Sequence, residues 1–211
     1  MSDRLKLSLR FRFGSVYPRH KNVIIFILLF LFTIAIRLPF FFKSDIDADE
    51  STYILVAQSA LDGFLPYIKL WVAKGPLAFS CYEIFILCFG KSIIAIRFGG
   101  ALCIFSASCV LWKLGARLYN ESAGIISAAA LILFSSILPV GGCVMTEHFT
   151  LLPSSLILFY LMTKSVSARN CLMMGLLVSY LALIRPEMAY LGVAVLITIM
   201  VLSIKSNFKH L

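Results

Sequence analysis

Apolar residues fill this chain in long blocks separated by short polar punctuation. The first block, 23–42, runs for about 20 residues with Arg37 as its one charge. At roughly 1.5 Å per residue that is enough to cross a bilayer core. It is longer than the apolar core of a signal peptide, about 7–15 residues, and it ends in Pro39-Phe40-Phe41-Phe42 rather than small residues, so it is expected to stay as an anchor. Further blocks at 92–112, 123–140, 149–162, 171–184 and 188–204 bring the expected spans to about six. The run 77–89 is only about 13 residues long and holds Glu83. It is expected to lie at the outer surface or re-enter rather than cross.

One segment follows a different pattern. Tyr53, Val56, Ala57, Ala60, Leu61 and Phe64 recur at three- and four-residue intervals, while Ser51, Thr52, Gln58, Ser59 and Asp62 fall mostly on the other side. This predicts an amphipathic helix on the membrane surface, ended by Gly63 and then Pro66. Asp47-Ala48-Asp49-Glu50 has capping-box spacing, with Asp47 accepting from the Glu50 amide and Glu50 reaching back.

Charge orients these elements. The chain is 61% hydrophobic and 14% charged, against about 25% charged for a soluble domain, so its solvent is expected to be lipid. The net charge of +9 does not mark a nucleic-acid partner, because Arg4, Lys6, Arg10, Arg12, Arg19 and Lys21 precede the first block and most other cations punctuate blocks. The positive-inside rule puts the N-terminus in the cytoplasm. If 77–89 crossed, Lys113 and Arg117 would fall on the outer face, against that rule. The expected fold is therefore all-α and polytopic. It comprises a basic cytoplasmic N-terminus (1–22), a transmembrane module (23–204) whose first outer loop is 43–91, a cytoplasmic loop at 113–121, an outer loop at 141–148, and a cytoplasmic tail (205–211). No repeat, low-complexity tract or soluble domain stands out.

Four of the ten acidic residues, Asp45, Asp47, Asp49 and Glu50, sit together just after the first block. Carboxylates in hydrocarbon cost several kcal/mol each, so the stretch belongs outside. Asp45, Asp47 and Asp49 match the first alternating ligands of an EF-hand, but the match fails at Glu50, where Gly is required, and at Val56, where Glu is required. On this topology Lys74, Glu147, His148, Arg185 and Glu187 reach the same face from three outer loops. A carboxylate base together with cations for a phosphate is the chemistry such a set supports. The bland readings are a solvated loop for the acidic stretch, an interfacial anchor beside Trp71 for Lys74, a span-end charge for Arg185 and a hydrogen-bonded span-end residue for His148. The six cysteines show neither a CxxC pair nor a His at ligand spacing and read as small hydrophobes.

The order of features resembles the N-terminal module of the GT-C membrane glycosyltransferases, nearest the branch of protein O-mannosyltransferases and the lipid A aminoarabinose transferase. The residues that carry the resemblance are Arg37-Leu38-Pro39, Asp49-Glu50-Ser51-Thr52-Tyr53, Pro66-Tyr67, Lys74-Gly75-Pro76-Leu77, Phe89-Gly90, Arg97, Glu147 and Arg185. The resemblance implies a hexosyl- or pentosyltransferase of the bacterial inner membrane and cell envelope. It would take sugar from a polyprenyl-phosphate donor and give it to a hydroxyl of a glycan, lipid or protein on the outer face. By the same resemblance Asp49 is the general base and Glu50 supports it, while Lys74, Arg185 and Tyr53 bind the donor phosphate. Glu147 positions substrate or, with Asp49, a divalent cation such as magnesium or manganese; members of this fold class differ in needing one. The second-loop acid is Glu where Asp is common. Members usually continue through further spans, so a chain ending at Leu211 is expected to be a short module, a truncated relative or half of a split enzyme with a partner subunit. The competing readings are an inactive relative that binds polyprenyl phosphate and a small transporter. Transporters place their charges near the bilayer midplane, and these lie at the outer boundary.

Overall fold

A computed structural model describes residues 19–43, 47–138, 142–164 and 167–207. All regular structure among them is helical. Helix α1 (Arg19–Phe41) is followed by α2 (Ala48–Leu61), α3 (Pro76–Phe89), α4 (Ile93–Leu118), α5 (Glu121–Ile137), α6 (Thr146–Thr163) and α7 (Ala168–Ile184). A single 3-10 turn (Pro186–Met188) then leads into α8 (Ala189–Asn207).

Six of these helices alternate in direction. The C-terminal end of α1 meets the start of α4 where Arg97 donates to Phe40 O and Lys43 O, both at 2.5 Å. The other end of α1 meets the start of α5 through the Lys21–Glu121 ion pair. Only Tyr119 and Asn120 separate α4 from α5. The start of α6 and the end of α7 return to the end where α1 finishes, here called the upper end. The start of α1 and the α4–α5 connection therefore share the lower end. Asp45, Gly141 and residues 1–18 and 208–211 lie outside the described residues.

Apolar packing divides along these lines. Ile25 and Leu29 of α1 join Ile104, Phe105 and Trp112 of α4 and Ala128 and Ile132 of α5. Ile157, Met174, Leu181 and Val195 join α6, α7 and α8. The outward faces keep large apolar side chains exposed, among them Leu28, Leu31, Ile126, Phe134, Leu172 and Leu196. Such a surface in water would be costly, and in lipid it is at home. Among the described residues two helices, His20–Phe41 and Ile93–Leu118, are long and apolar enough to cross a membrane; Glu121–Ile137, Ala168–Ile184 and Pro186–Val201 are apolar but shorter.

The expected apolar face of α2 is met in part, since Ala60 and Leu61 are half-buried while Phe64 and Leu55 are exposed. Tyr53, Val56 and Ala57 of α2 are buried against Ala78, Phe79, Tyr82 and Ile86 of α3. The pair lies over the upper ends of α4, α6 and α7 through Ile96, Val144, Phe149 and Ile184. Full burial of each large apolar side chain contributes about 1.5–3 kcal/mol. Gly63 at φ 92° ends α2, a conformation that suits only glycine well. The 14-residue α3 is too short to cross, as expected.

Several boundaries differ from expectation. The predicted loop at 113–121 is mostly helix, since α4 continues to Leu118. A Cβ on Gly115 would stand 2.7 Å from Gly124 Cα, so the α4 and α5 backbones touch beside a connection of only Tyr119 and Asn120. Helix α1 begins at Arg19, α7 at Ala168, and α6 at Thr146, which places Glu147 and His148 in its first turn rather than in a loop. Asp47 caps α2 as expected, but through the Asp49 amide at 2.8 Å. Glu50 does not reach back, because both of its oxygens are bound elsewhere.

Candidate functional site

Two neighbouring carboxylates at the start of α2 separate by direction. Asp49 points outward and is exposed. Glu50, a helical step of about 100° away, is fully buried. One Glu50 oxygen accepts from the Val144 amide at 2.7 Å, and the other pairs with Arg97 Nη2 at 3.3 Å. Arg97 is itself buried and also binds the end of α1. Arg37, fully buried in α1, donates to Gly142 O at 3.3 Å. Tyr82 donates to Val144 O at 2.6 Å. Together these groups tie α1, α2, α3, α4 and the segment before α6 into one buried knot. Glu50 thus holds the site's frame, with its carboxylate turned away from the exposed face.

The outward face carries Asp49 and its polar neighbours. Tyr53 Oη donates to Asp49 Oδ2 at 3.3 Å, and its ring packs against Phe79 and Tyr82. Burial, and then the neighbouring Asp49 charge, push the Tyr53 phenol up to about 12, so it stays a donor at every ordinary pH. The resemblance put Tyr53 with the donor phosphate; the geometry places it on the base candidate.

Arg185 caps the C-terminal end of α7 and is ion-paired with Glu147 in the first turn of α6. Its Nε and Nη2 both reach Glu187 Oε1, at 2.6 Å each. Burial alone would lower the Arg185 pKa, but the Glu187 hydrogen bond and the Glu147 charge carry it above its ordinary value. A backbone hydrogen bond, then Arg185, hold the Glu187 carboxyl below the usual range. Lys74 acts electrostatically on both carboxylates. It is brought there by the loop before α3, where Gly75 N donates to Ile184 O at 3.1 Å and Tyr67 Oη donates to Lys74 O at 2.6 Å. Asp49, Tyr53, Glu147 and Arg185 also share one electrostatic neighbourhood, since Tyr53 feels the other three.

His148 is buried at the start of α6 and its Nδ1 accepts from the Met145 amide at 3.1 Å, so it is a helix-end residue, in line with the bland reading. The six cysteines are free thiols. No group of three or more His, Cys, Asp or Glu among the described residues gathers closely enough to hold a metal ion. Glu147 is engaged by Arg185, so a divalent ion between Asp49 and Glu147 would have to displace that guanidinium. An apolar cleft of about 350 Å³ opens between α3, α6 and α7, lined by Phe85, Phe149, Leu152, Leu156, Leu177 and Tyr180 among others. Phe149 follows Glu147 by two residues and Tyr180 precedes Arg185 by five, so the cleft begins about a turn from the polar cluster.

The residues that sequence reasoning left without a role are Arg37 and Arg97. The available signal was a full charge inside an apolar helix, which needs a partner wherever it occurs.

These features define a helical membrane protein with a carboxylate-and-cation site at one end of its bundle. The family described as dolichyl-phosphate-mannose-protein mannosyltransferase matches residues 73–211, and the chain belongs to that family. Membership makes it a GT-C glycosyltransferase-like protein. Lys74, Glu147 and Arg185 fall inside the matched residues, whereas Asp49, Glu50 and Tyr53 precede them. A search of the curated proteins finds no significant match, and neither does a search of the solved structures.

Proposed function

We propose that this protein transfers a sugar from a polyprenyl-phosphate donor to an acceptor hydroxyl on the extracytoplasmic face of a bacterial inner membrane. In this reading α1 and α4 to α8 are six spans, the N-terminus is cytoplasmic, and α2 and α3 lie at the outer surface. The module is 23–204, flanked by a cytoplasmic segment 1–22 and tail 205–211. The observation that carries the reading is that Tyr53, which holds the exposed Asp49, lies in the electrostatic reach of Arg185 and Glu147, while Lys74 acts on Glu147 and Glu187, in a chain of this family.

Asp49 takes the proton of the acceptor hydroxyl as its oxygen forms the new bond to the sugar's anomeric carbon. The bond from that carbon to the phosphate oxygen breaks, and its electron pair leaves with the polyprenyl phosphate. Arg185 and Lys74 stabilise that leaving charge, which a low-dielectric interface amplifies. The cleft beside Phe149 and Tyr180 suits the first part of an isoprenoid chain. No step in this scheme needs a metal ion.

Sugar transfer from polyprenyl-phosphate donors, measured in membranes containing the protein, tests the reading. Asp49→Asn is expected to lower transfer by roughly 10²–10⁴-fold at unchanged protein level. Unchanged transfer would remove Asp49 as the base.

A further inference from the structure

The donor-phosphate reading leaves a difficulty at Arg185. A guanidinium binds phosphate best through its Nε and Nη2 edge, two parallel N–H groups matched to two oxygens. Both nitrogens of that edge are directed at Glu187 Oε1 at 2.6 Å, and Nη1 is paired with Glu147. The cluster of Asp49, Glu147, Glu187, Lys74 and Arg185 carries three carboxylates against two cations. As it stands it offers an anion no excess of positive charge.

The two carboxylates on Arg185 are not held alike. Glu147 stands in the first turn of the 18-residue α6, beside Thr146, whose hydroxyl lies 3.4 Å from its Oε2. Both carboxylates are exposed, Glu147 at 56% and Glu187 at 47% of the side chain, so they differ in anchorage: Glu187 sits in a three-residue 3-10 turn only two residues from Arg185. Exposed pairs between near neighbours are weak, because water and salt compete for both partners. A phosphate dianion or diester arriving at the Nε and Nη2 edge therefore meets a ligand that leaves readily.

We propose that Glu187 is a displaceable carboxylate latch on Arg185, occupying the phosphate-binding edge in the empty protein and swinging off it when a lipid-linked phosphate binds. This rests on the reading of Arg185 as a donor-phosphate ligand. Glu187 keeps the guanidinium oriented and charge-matched between turnovers, and weakens binding of any anion that cannot outcompete it. Glu147 stays in place, so Arg185 remains fixed to α6 through the exchange. The latch also opposes retention of the polyprenyl phosphate left after transfer, because Glu187 returns to the edge that the phosphate vacates.

The sign of one substitution separates this from a structural role. Binding of farnesyl phosphate to the full chain in detergent is measured for the wild type, Glu187→Gln, Glu187→Asp and Arg185→Lys, with farnesol as the uncharged control. Glu187→Gln is expected to bind farnesyl phosphate roughly two- to five-fold tighter, the range of an exposed pair, and to bind farnesol as the wild type does. Glu187→Asp, which keeps the charge, is expected to stay near the wild type. Arg185→Lys is expected to bind more weakly, since a lysine has no bidentate edge. Weaker or unchanged binding by Glu187→Gln, with Arg185→Lys weakened, would overturn the latch and leave the phosphate reading standing. Unchanged binding by Arg185→Lys would overturn the phosphate reading itself and the latch with it.

Discussion

Asp49 and Glu50 are adjacent in the chain, and the helix sends them to opposite environments. Asp49 stays at the surface with one hydrogen bond from Tyr53, whereas Glu50 is buried between Arg97 and the Val144 amide. Removing one partner of a buried ion pair leaves the other charge uncompensated and costs about 3–5 kcal/mol. Glu50→Gln is therefore expected to lower the thermal unfolding temperature of the purified protein clearly, while Asp49→Asn leaves it near the wild-type value. Equal thermal stability of the two variants would contradict the contrast between a buried, paired Glu50 and an exposed Asp49. Arg185 shows the same dependence on neighbours, since two carboxylates hold one cation at the surface.

At the scale of elements, the site depends on how closely α3 approaches the end of α7. A Cβ at Gly75 would lie 1.9 Å from Leu183 O, a backbone atom that cannot step aside. Gly75→Ala must push the start of α3 from the end of α7 and so part Lys74 from Arg185. The expected outcome is a stability loss of about 1–3 kcal/mol and a drop in transfer of roughly 10²-fold from misplaced groups. Gly175→Ala is the matched control within α7, because a Cβ there meets nothing within 4 Å. Thermal unfolding and transfer assays on both variants check this, and equal behaviour of the two would count against the proposed contact.

For the whole molecule, the alternation of α1 and α4 to α8 places α2, α3 and the polar cluster at one end, with the Lys21–Glu121 pair and Tyr119 near the other. In a variant whose native cysteines are replaced, Ser51→Cys is expected to react with a membrane-impermeant thiol reagent added outside cells. Tyr119→Cys, at a position 81% exposed, is expected to react only after the membrane is opened. The reverse pattern would invert the proposed orientation. Because α4 and α5 touch at Gly115 and Gly124, the connection offers only Tyr119 and Asn120 to label.

Hydropathy and charge are properties of short segments, so the chain alone determined its helical membrane class, the presence of α2 after the acidic stretch and the shortness of α3. The ordered motifs also carried the family, and the match to residues 73–211 agrees. Which carboxylate faces solvent was decided elsewhere. Glu50 turns inward because Val144, 94 residues away, presents an unpaired amide to it and because Arg97 needs a buried counter-charge. Arg37 and Arg97 became parts of a frame, Tyr53 became the holder of Asp49, and Glu187 became a ligand of Arg185. The Tyr53–Asp49 and Glu187–Arg185 contacts are local, four and two residues apart. The frame of Glu50, Arg37 and Arg97, however, rests on groups brought together by packing, and side-chain periodicity along one helix carries no information about what a distant helix will place beside it.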